Sequence, residues 1–357
     1  MMQKPARKMW LGRILAVTVL STLCLSQPVS VPRGKPFPHD IRPGRGVRAV
    51  HRLSQYNPAL SGTPGDTRVY VLEGREKGGT AVVAAGTHGN EIAGIMAAIL
   101  LVEHSSVKKG RLLVIPHANN SAITYPDPRR PGPTSIRLKT AGGERRFAYG
   151  ARLTRPDHQG QPDPEKFRHP SSTTTLDGFE ARNLDRAYPG VRDGNLTQRI
   201  AFGILELLRR EEADVAFDLH EAGPESRLAW MVVANPKNVE TAANAILNLD
   251  MAGIPMQLEP SAETFRGLSH REWGDATRAQ SFLFETPNPA MVSRASAADP
   301  VHDPKLPLNR RVGVHLSTLK AILDAFNEPS APESRILLEN VPGWPEISKS
   351  DLGSFYK

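Results

Sequence analysis

The sequence predicts an α/β fold, a mixed, largely parallel sheet flanked by helices on both faces. Three observations lead there. Short apolar runs alternate with longer segments of helical period along the whole chain. Glycine and polar turn residues bound the apolar runs. The segment 91–104 carries Ile92, Ile95, Met96, Ile99 and Leu100 around most of its circumference, the mark of a helix packed on a sheet. Strands alternating with such helices bury both faces of the sheet.

The elements follow in order. Strands are predicted over 68–73 and 80–85, separated by a glycine-rich turn, then the helix 91–104 and a strand over 111–116. An amphipathic helix over 196–210 places Ile200, Ile204, Leu207 and Leu208 on one face. Strands over 215–219 and 228–234 precede a helix over 238–249. A strand over 282–285 is expected to close the sheet, and 312–326 reads as a last helix. The domain is expected to occupy 31–328, with a long loop at 119–180 and a C-terminal tail at 329–357. That loop is rich in Pro, Arg and Gly and exceeds an ordinary connection, so a lid over a pocket is preferred to plain disorder. Within it Tyr149, His158 and His169 stand near enough in sequence to reach a substrate.

The hexapeptide Gly86-Thr87-His88-Gly89-Asn90-Glu91 carries the chemistry. It leaves an apolar strand, and a turn at the end of a buried strand is a rigid place to fix ligands. His88 and Glu91 stand three apart where strand becomes helix, so an imidazole and a carboxylate can converge on one ion. A catalytic zinc usually takes three protein ligands and a water. His220, which also closes an apolar run beside Asp218 and Glu221, is the obvious third. The alternative is a strand-to-helix turn capped by Asn90 or Glu91, with His220 a hydrogen-bonded core residue. Open α/β sheets place their sites at strand ends, where His88, His220 and Glu285 all fall.

These motifs, with Arg182-Asn183-Leu184-Asp185-Arg186-Ala187-Tyr188-Pro189-Gly190 between them and Asp218-Leu-His-Glu221 after, resemble the succinylglutamate desuccinylase/aspartoacylase family of the zinc carboxypeptidase superfamily. The resemblance covers roughly residues 69 to 287. It implies a zinc carboxypeptidase-like fold and a hydrolase that cleaves an amide bond next to a carboxylate. It implies His88, Glu91 and His220 as ligands of one zinc ion. It also implies a late glutamate as general base, and Glu285, ending an apolar run before Thr286-Pro287, has that form. A carboxylate there can take a proton from water and return it to the departing amine; the alternative is a strand-end salt bridge.

In that family an Asn-Arg pair grips the substrate carboxylate, and a guanidinium fork matches its two oxygens. Arg186 falls on the arginine position, whereas Asp185 stands where the family has Asn. Asp185 either holds Arg186 in place or binds a substrate ammonium. At the spacing of the family's oxyanion arginine the chain has Gly178, leaving Arg182 and Arg168 as substitutes. Too few residues follow Glu285 for the family's extra C-terminal β domain, so a more open pocket is expected.

Composition bounds the rest. The 357 residues carry a formal charge of +8. The first thirty hold Lys4, Arg7, Lys8 and Arg13 and no acid, so the remainder carries only +4. Scattered arginines without an aromatic-basic motif argue against nucleic acid as a partner. Residues 1–30 read as an export signal, four basic residues before an apolar stretch too short for a comfortable span; an uncleaved anchor is the alternative and the one expected membrane contact. Localisation is therefore expected to be extracytoplasmic, periplasmic or secreted. Cys24, the single cysteine, lies in that leader, so any metal site must use His, Asp and Glu.

Three functional readings stand at this point. One is an exported zinc deacylase of N-acyl amino acids. Another is a zinc metallocarboxypeptidase trimming peptides or cell-wall stems. The third is a metal-bearing binding protein without turnover. The expected partner is a small-molecule or peptide substrate with a free carboxylate.

Overall fold

The computed structural model describes residue 1 and residues 40–126, 133–292 and 299–357. The chain divides between Gly34 and Lys35, and the second unit, Lys35–Lys357, carries every element below. The predicted export signal lies outside the described residues. Among those described, no helix is long and apolar enough to cross a membrane.

In chain order the strands are β1 (Val47–Arg52), β2 (Arg68–Glu73), β3 (Glu76–Ala85), β4 (Ser106–Ile115), β5 (Ser135–Thr140), β6 (Gly143–Ala148), β7 (Lys166–Phe167), β8 (Leu176–Asp177), β9 (Val215–Ala222), β10 (Met231–Ala234), β11 (Gln257–Pro260), β12 (Gln280–Pro287) and β13 (Leu337–Glu339). The α-helices are α1 (Ile92–His104), α2 (Asn120–Ile123), α3 (Leu196–Arg210), α4 (Val239–Met251), α5 (Ser269–Ala276), α6 (Leu308–Asn327) and α7 (Trp344–Ile347).

One sheet organises the domain, in the order β1-β2-β4-β3-β9-β12-β10-β11, with β13 also paired to β4. Its centre, β4-β3-β9-β12, is parallel, and antiparallel pairs flank it. The fold class is thus the one the sequence predicts, a mixed sheet parallel through its middle. Helices α1, α4 and α6 pack on one face, against Val83, Phe217, Phe282 and Phe284. On the other face α3 and Trp273 of α5 cover Val82, Ala84 and Ala216. Alternate residues of one strand enter opposite cores, as the two-residue period of a pleated strand requires.

The predicted α1 and α3 are found, and the ends of α3 match their signals. Asn195 and Gln198 form a reciprocal capping box, satisfying orphan N–H groups at the helix start. The strand over 282–285 differs from expectation, since β12 lies inside the sheet between β9 and β10. Both edges of β12 are paired, to β9 and β10, while Phe282 and Phe284 point to one core and Leu283 and Glu285 share the opposite face.

The segment expected as a long loop contains α2 and two small two-stranded sheets, β5–β6 and β7–β8. Residues 329–357, expected as a tail, pack on the domain: β13 pairs with β4, and the buried Tyr356 donates to the Met96 carbonyl at 2.8 Å. The Lys357 carbonyl accepts from the guanidinium of Arg145, itself fully buried against Glu103.

Candidate metal centre and active site

Strand β3 ends at Ala85 and the chain turns sharply at Gly86, whose φ is +69°. Any Cβ there would stand 2.7 Å from Ile123 and 2.9 Å from the Pro116 carbonyl oxygen. Gly89 is pinned between Ala151 and Gly150 by backbone hydrogen bonds of 2.7 and 2.8 Å. The motif's glycines therefore let this turn lie flat against the segment that carries Arg152.

His88, Glu91 and His220 are brought together, with one donor atom from each within 4.8 Å of the others, all buried. The imidazole Nδ1 of His88 lies 2.7 Å from Glu91 Oε1, and that of His220 lies 2.9 Å from Glu91 Oε2. The two rings meet edge to face at 4.9 Å. Glu91 precedes α1 but makes no side-chain cap. Its carboxylate faces the histidines instead, against the capping alternative.

The outer nitrogens decide whether the set suits a metal. Nε2 of His88 donates to Asn183 Oδ1 at 2.9 Å, given the tautomer that leaves Nδ1 unprotonated. Nε2 of His220 lies 2.9 Å from Asp218 Oδ2, at an angle outside hydrogen-bond geometry. Ligating histidines nearly always turn the second nitrogen to an oxygen acceptor, which orients the ring and its lone pair. Two neutral imidazoles and a carboxylate, so held, form a donor set that fits zinc. Asp185, Asp218 and His220 form a second cluster of donors. That set offers one imidazole and two carboxylates, with Asp218 accepting from the Thr87 hydroxyl and Asp185 from the Ser269 N–H, whereas the first offers the two imidazoles that zinc favours.

Electrostatics agree with that assignment for His88 and Glu91 and run the other way for His220 in the metal-free site. Burial, then Arg152, holds the pKa of His88 below its ordinary value, favouring the ligating form. Burial opposes ionisation of Glu91, but His88 and His220 outweigh it and pull its pKa well down. For His220 burial is likewise outweighed, here by Asp218 and Glu91, which raise the pKa.

Glu285 lies directly across from His220 in the parallel β9–β12 register. It lines the same cavity, and its Oε2 is buried without a hydrogen-bond partner. Burial, then the Glu91 carboxylate, pushes its pKa well above the ordinary range. No salt bridge engages it among the described residues, so the strand-end ion pair does not account for it.

The cavity, about 470 Å³, is lined on its polar side by His88, His220, Glu285, Asp185, Arg186 and Arg152. Arg186 is about one-quarter exposed, donates to the Asp185 carbonyl, and stays 3.8 and 3.9 Å from the carboxylates of Asp185 and Glu180. Its guanidinium thus holds one short backbone hydrogen bond, at 2.6 Å, while both carboxylates stay distant. Asp185 uses one oxygen to accept from Ser269 N–H at 2.8 Å, holding the start of α5.

Arg182 corrects the sequence expectation. It does not line the cavity: Nε is bound to Asp163 at 2.7 Å and Nη1 to the Thr154 carbonyl at 2.7 Å. The buried guanidinium ties two loop segments together. Arg168 is exposed and away from the cavity. Arg152, which sequence reasoning missed, takes the place sought for an oxyanion arginine, with Nη1 3.3 Å from His88 Nδ1 and 3.6 Å from Glu91 Oε1. Counting back from Arg186 does not find it, since the two stand 34 positions apart with β7 and β8 between them. The other signal is indirect: the hydrogen bonds of Gly89 to Gly150 and Ala151 place it.

Of the other residues named from sequence, His169 lines the cavity with Nε2 on the Tyr188 carbonyl. His158 bonds the Ser121 hydroxyl and Tyr149 is buried, both off the cavity.

No protein-family model and no curated protein matches the sequence. Solved structures do match. The chain is similar to a succinylglutamate desuccinylase from Silicibacter sp. TM1040, at 18% identity and TM-score 0.45 over 73% of this chain and 60% of that one. The tripeptide-bound cell shape determinant Csd4 from Helicobacter pylori matches at 14% identity and TM-score 0.47, over 77% and 57%. A metallo-carboxypeptidase from Burkholderia cenocepacia matches at 11% and 0.49, over 80% and 66%. The chain thus spans about 60% of the length of the first solved structures it matches. At these identities and TM-scores none of them decides its activity.

Proposed function

We propose that this protein is a zinc-dependent hydrolase of an amide bond in a carboxylate-bearing substrate, acting as an exported N-acyl amino acid deacylase. One observation carries the reading: His88 and His220, convergent with Glu91, line the same cavity as Glu285, one strand away, whose Oε2 is buried without a hydrogen-bond partner. When bound, zinc supplies Lewis-acid polarisation of a carbonyl and a more acidic water. Glu285 takes the proton of the attacking water on Oε2 and delivers it to the departing amine nitrogen. Burial raises the pKa of Glu285, which makes its carboxylate a stronger base than an exposed one. Arg152 presents its guanidinium to the oxygen on which charge develops. Arg186 receives the substrate carboxylate through its planar fork.

Metal analysis tests the core of this reading. Purified protein is expected to retain about one zinc per chain after dialysis, and His88→Ala and His220→Ala to lose it. A protein that binds no metal even after reconstitution overturns the hydrolase. Arg186→Met is expected to raise KM for carboxylate-bearing substrates by roughly 10- to 100-fold, the value of a charged hydrogen-bond pair, with kcat little changed. Steady-state kinetics on an acyl amino acid and its methyl ester check this, since the ester removes the difference.

A second reading rests on Asp185, which lines the cavity and whose Oδ2 stays 3.8 Å from the Arg186 guanidinium. It could take an ammonium group and so favour peptide ends. Release of amino acids from peptide C-termini, against release of free amine from acyl amino acids, separates the two.

A further inference from the structure

The cavity contains a polar side chain that the mechanism above does not use. His270, the second residue of α5, is 1% exposed, lines the cavity, and has no hydrogen-bond partner on either Nδ1 or Nε2. Buried polar groups are almost always paired, and leaving one unpaired costs about 1–3 kcal/mol. The nearest charged groups do not answer it. Asp185 accepts from Ser269 N–H, Asp218 from Thr87, and His220 faces Glu91 and Asp218.

Apolar groups share the cavity with His270, alongside the charged Asp185 and Arg186. The Phe265 ring meets the imidazole edge to face at 6.2 Å. Leu268, Leu283 and Val233 line the same cavity. Leu283 stands one pleat before Glu285 on the same face of β12, and Val233 is its register partner on β10. The apolar wall is therefore continuous with the face that carries the proposed base. A group entering the cavity therefore meets hydrocarbon from these residues as well as the unpaired imidazole of His270.

We propose that His270 sets the side-chain specificity of the site by hydrogen-bonding an uncharged polar tip, a carboxamide or hydroxyl, on an otherwise apolar side chain of the amino-acid product. The inference rests on the hydrolase reading for the identity of that product. A carboxamide or hydroxyl can both donate and accept, so it can answer either imidazole tautomer. An aliphatic tip leaves the nitrogen unpaired. A carboxylate tip can only accept, and it would enter beside Asp185. Sites built to hydrogen-bond a substrate group reject analogues that lack it, because the site's own polar group then stays orphaned.

The test is isothermal titration of the zinc-loaded protein with free glutamine, its near-isostere methionine, and glutamate, followed by hydrolysis of the matching N-acetyl derivatives. Glutamine is expected to bind at least about tenfold more tightly than either of the others, one hydrogen bond's worth of discrimination. His270→Leu is expected to remove the preference over methionine while keeping bound zinc, and His270→Gln to retain part of it. Equal binding of glutamine and methionine by the wild type, tighter binding of glutamate, no binding of any, or an unchanged preference in His270→Leu would each overturn the proposal. Hydrolysis reports separately. Turnover without discrimination sinks the role of His270 alone, and discrimination in binding without any turnover sinks the hydrolase.

Discussion

Replacing Glu285 with Gln is expected to lower kcat by about 10²- to 10⁴-fold, the usual contribution of a positioned general base, while zinc content and KM stay near wild type. Glutamine keeps the shape of the side chain and removes only its basicity. The variant also reports on burial independently of turnover. In metal-free protein Glu285 has a folded-state pKa raised first by burial and then by Glu91. Above the usual carboxylate range the folded state binds more protons at this site than the unfolded state, so stability falls as pH rises toward the raised value. The Gln variant lacks that loss. Its metal-free melting temperature is expected to exceed that of wild type by a margin that widens from pH 5 to pH 8. Unchanged kcat would remove Glu285 from the chemistry, and a constant margin would show that its carboxyl is not perturbed.

How the site was legible in the sequence follows from where its residues sit. His88 and Glu91 follow a buried strand, and His220 and Glu285 lie two residues inside the ends of theirs, where the apolar run stops at a polar residue. Such residues announce themselves. Arg152 and His270 do not, because they lie in irregular or short elements whose position depends on distant contacts: Gly89 against Gly150 for one, Asp185 against Ser269 for the other. Arg182 shows the reverse. It sits within the right motif, yet Asp163 and Thr154 claim its guanidinium, and no local pattern reveals a partner 19 or 28 residues away.

The fold shows the same division. Strands β3, β9 and β12 each contain a short apolar run, Ala81–Ala85, Val215–Phe217 and Phe282–Phe284. Strand β6 does not, for its inward positions include Arg145, buried only because Glu103 and Asp40 neutralise it. An arginine at a core position hides the two-residue period that Ile136, Leu138 and Phe147 otherwise show. Strand β11 is four residues, half of them polar, and β13 only three. Both exist by pairing with neighbours more than by their own pattern.

A second buried charge, Arg311 on α6, is expected to matter most for stability. Its side chain is fully buried, and its guanidinium bonds Glu221 Oε1, the Pro300 carbonyl and, at 3.0 Å, the Leu306 carbonyl. Glu221 is equally buried; its other oxygen accepts from Ala93 N–H at 2.9 Å and from the Asn288 amide at 3.0 Å. That amide also donates to the Asn90 carbonyl, and the Glu221 N–H donates to Glu91 Oε2. The pair therefore links α6 to both halves of the metal centre. Arg311→Met leaves an uncompensated carboxylate in the core, expected to cost about 3–5 kcal/mol. With unfolding entropy of about 2.1 cal/mol/K per residue over a domain of this size, that is a fall in Tm of roughly 6 °C. The deficit has a definite pH dependence. Burial already raises the pKa of Glu221 against the opposing pull of Arg311; without that cation it rises further. A carboxyl whose folded-state pKa is raised stabilises the fold least at high pH, so the deficit is expected to grow from pH 5 to pH 8. Adding Glu221→Gln to Arg311→Met is expected to recover most of the loss, because a neutral amide has no charge to strand. Thermal melts of the four proteins of that cycle measure the coupling directly. Zinc titrations on the same four measure whether the network also orients the ligands: if Arg311→Met weakens zinc binding and the double variant restores it, the stranded charge and not the lost packing disturbs the Glu91 and His220 geometry.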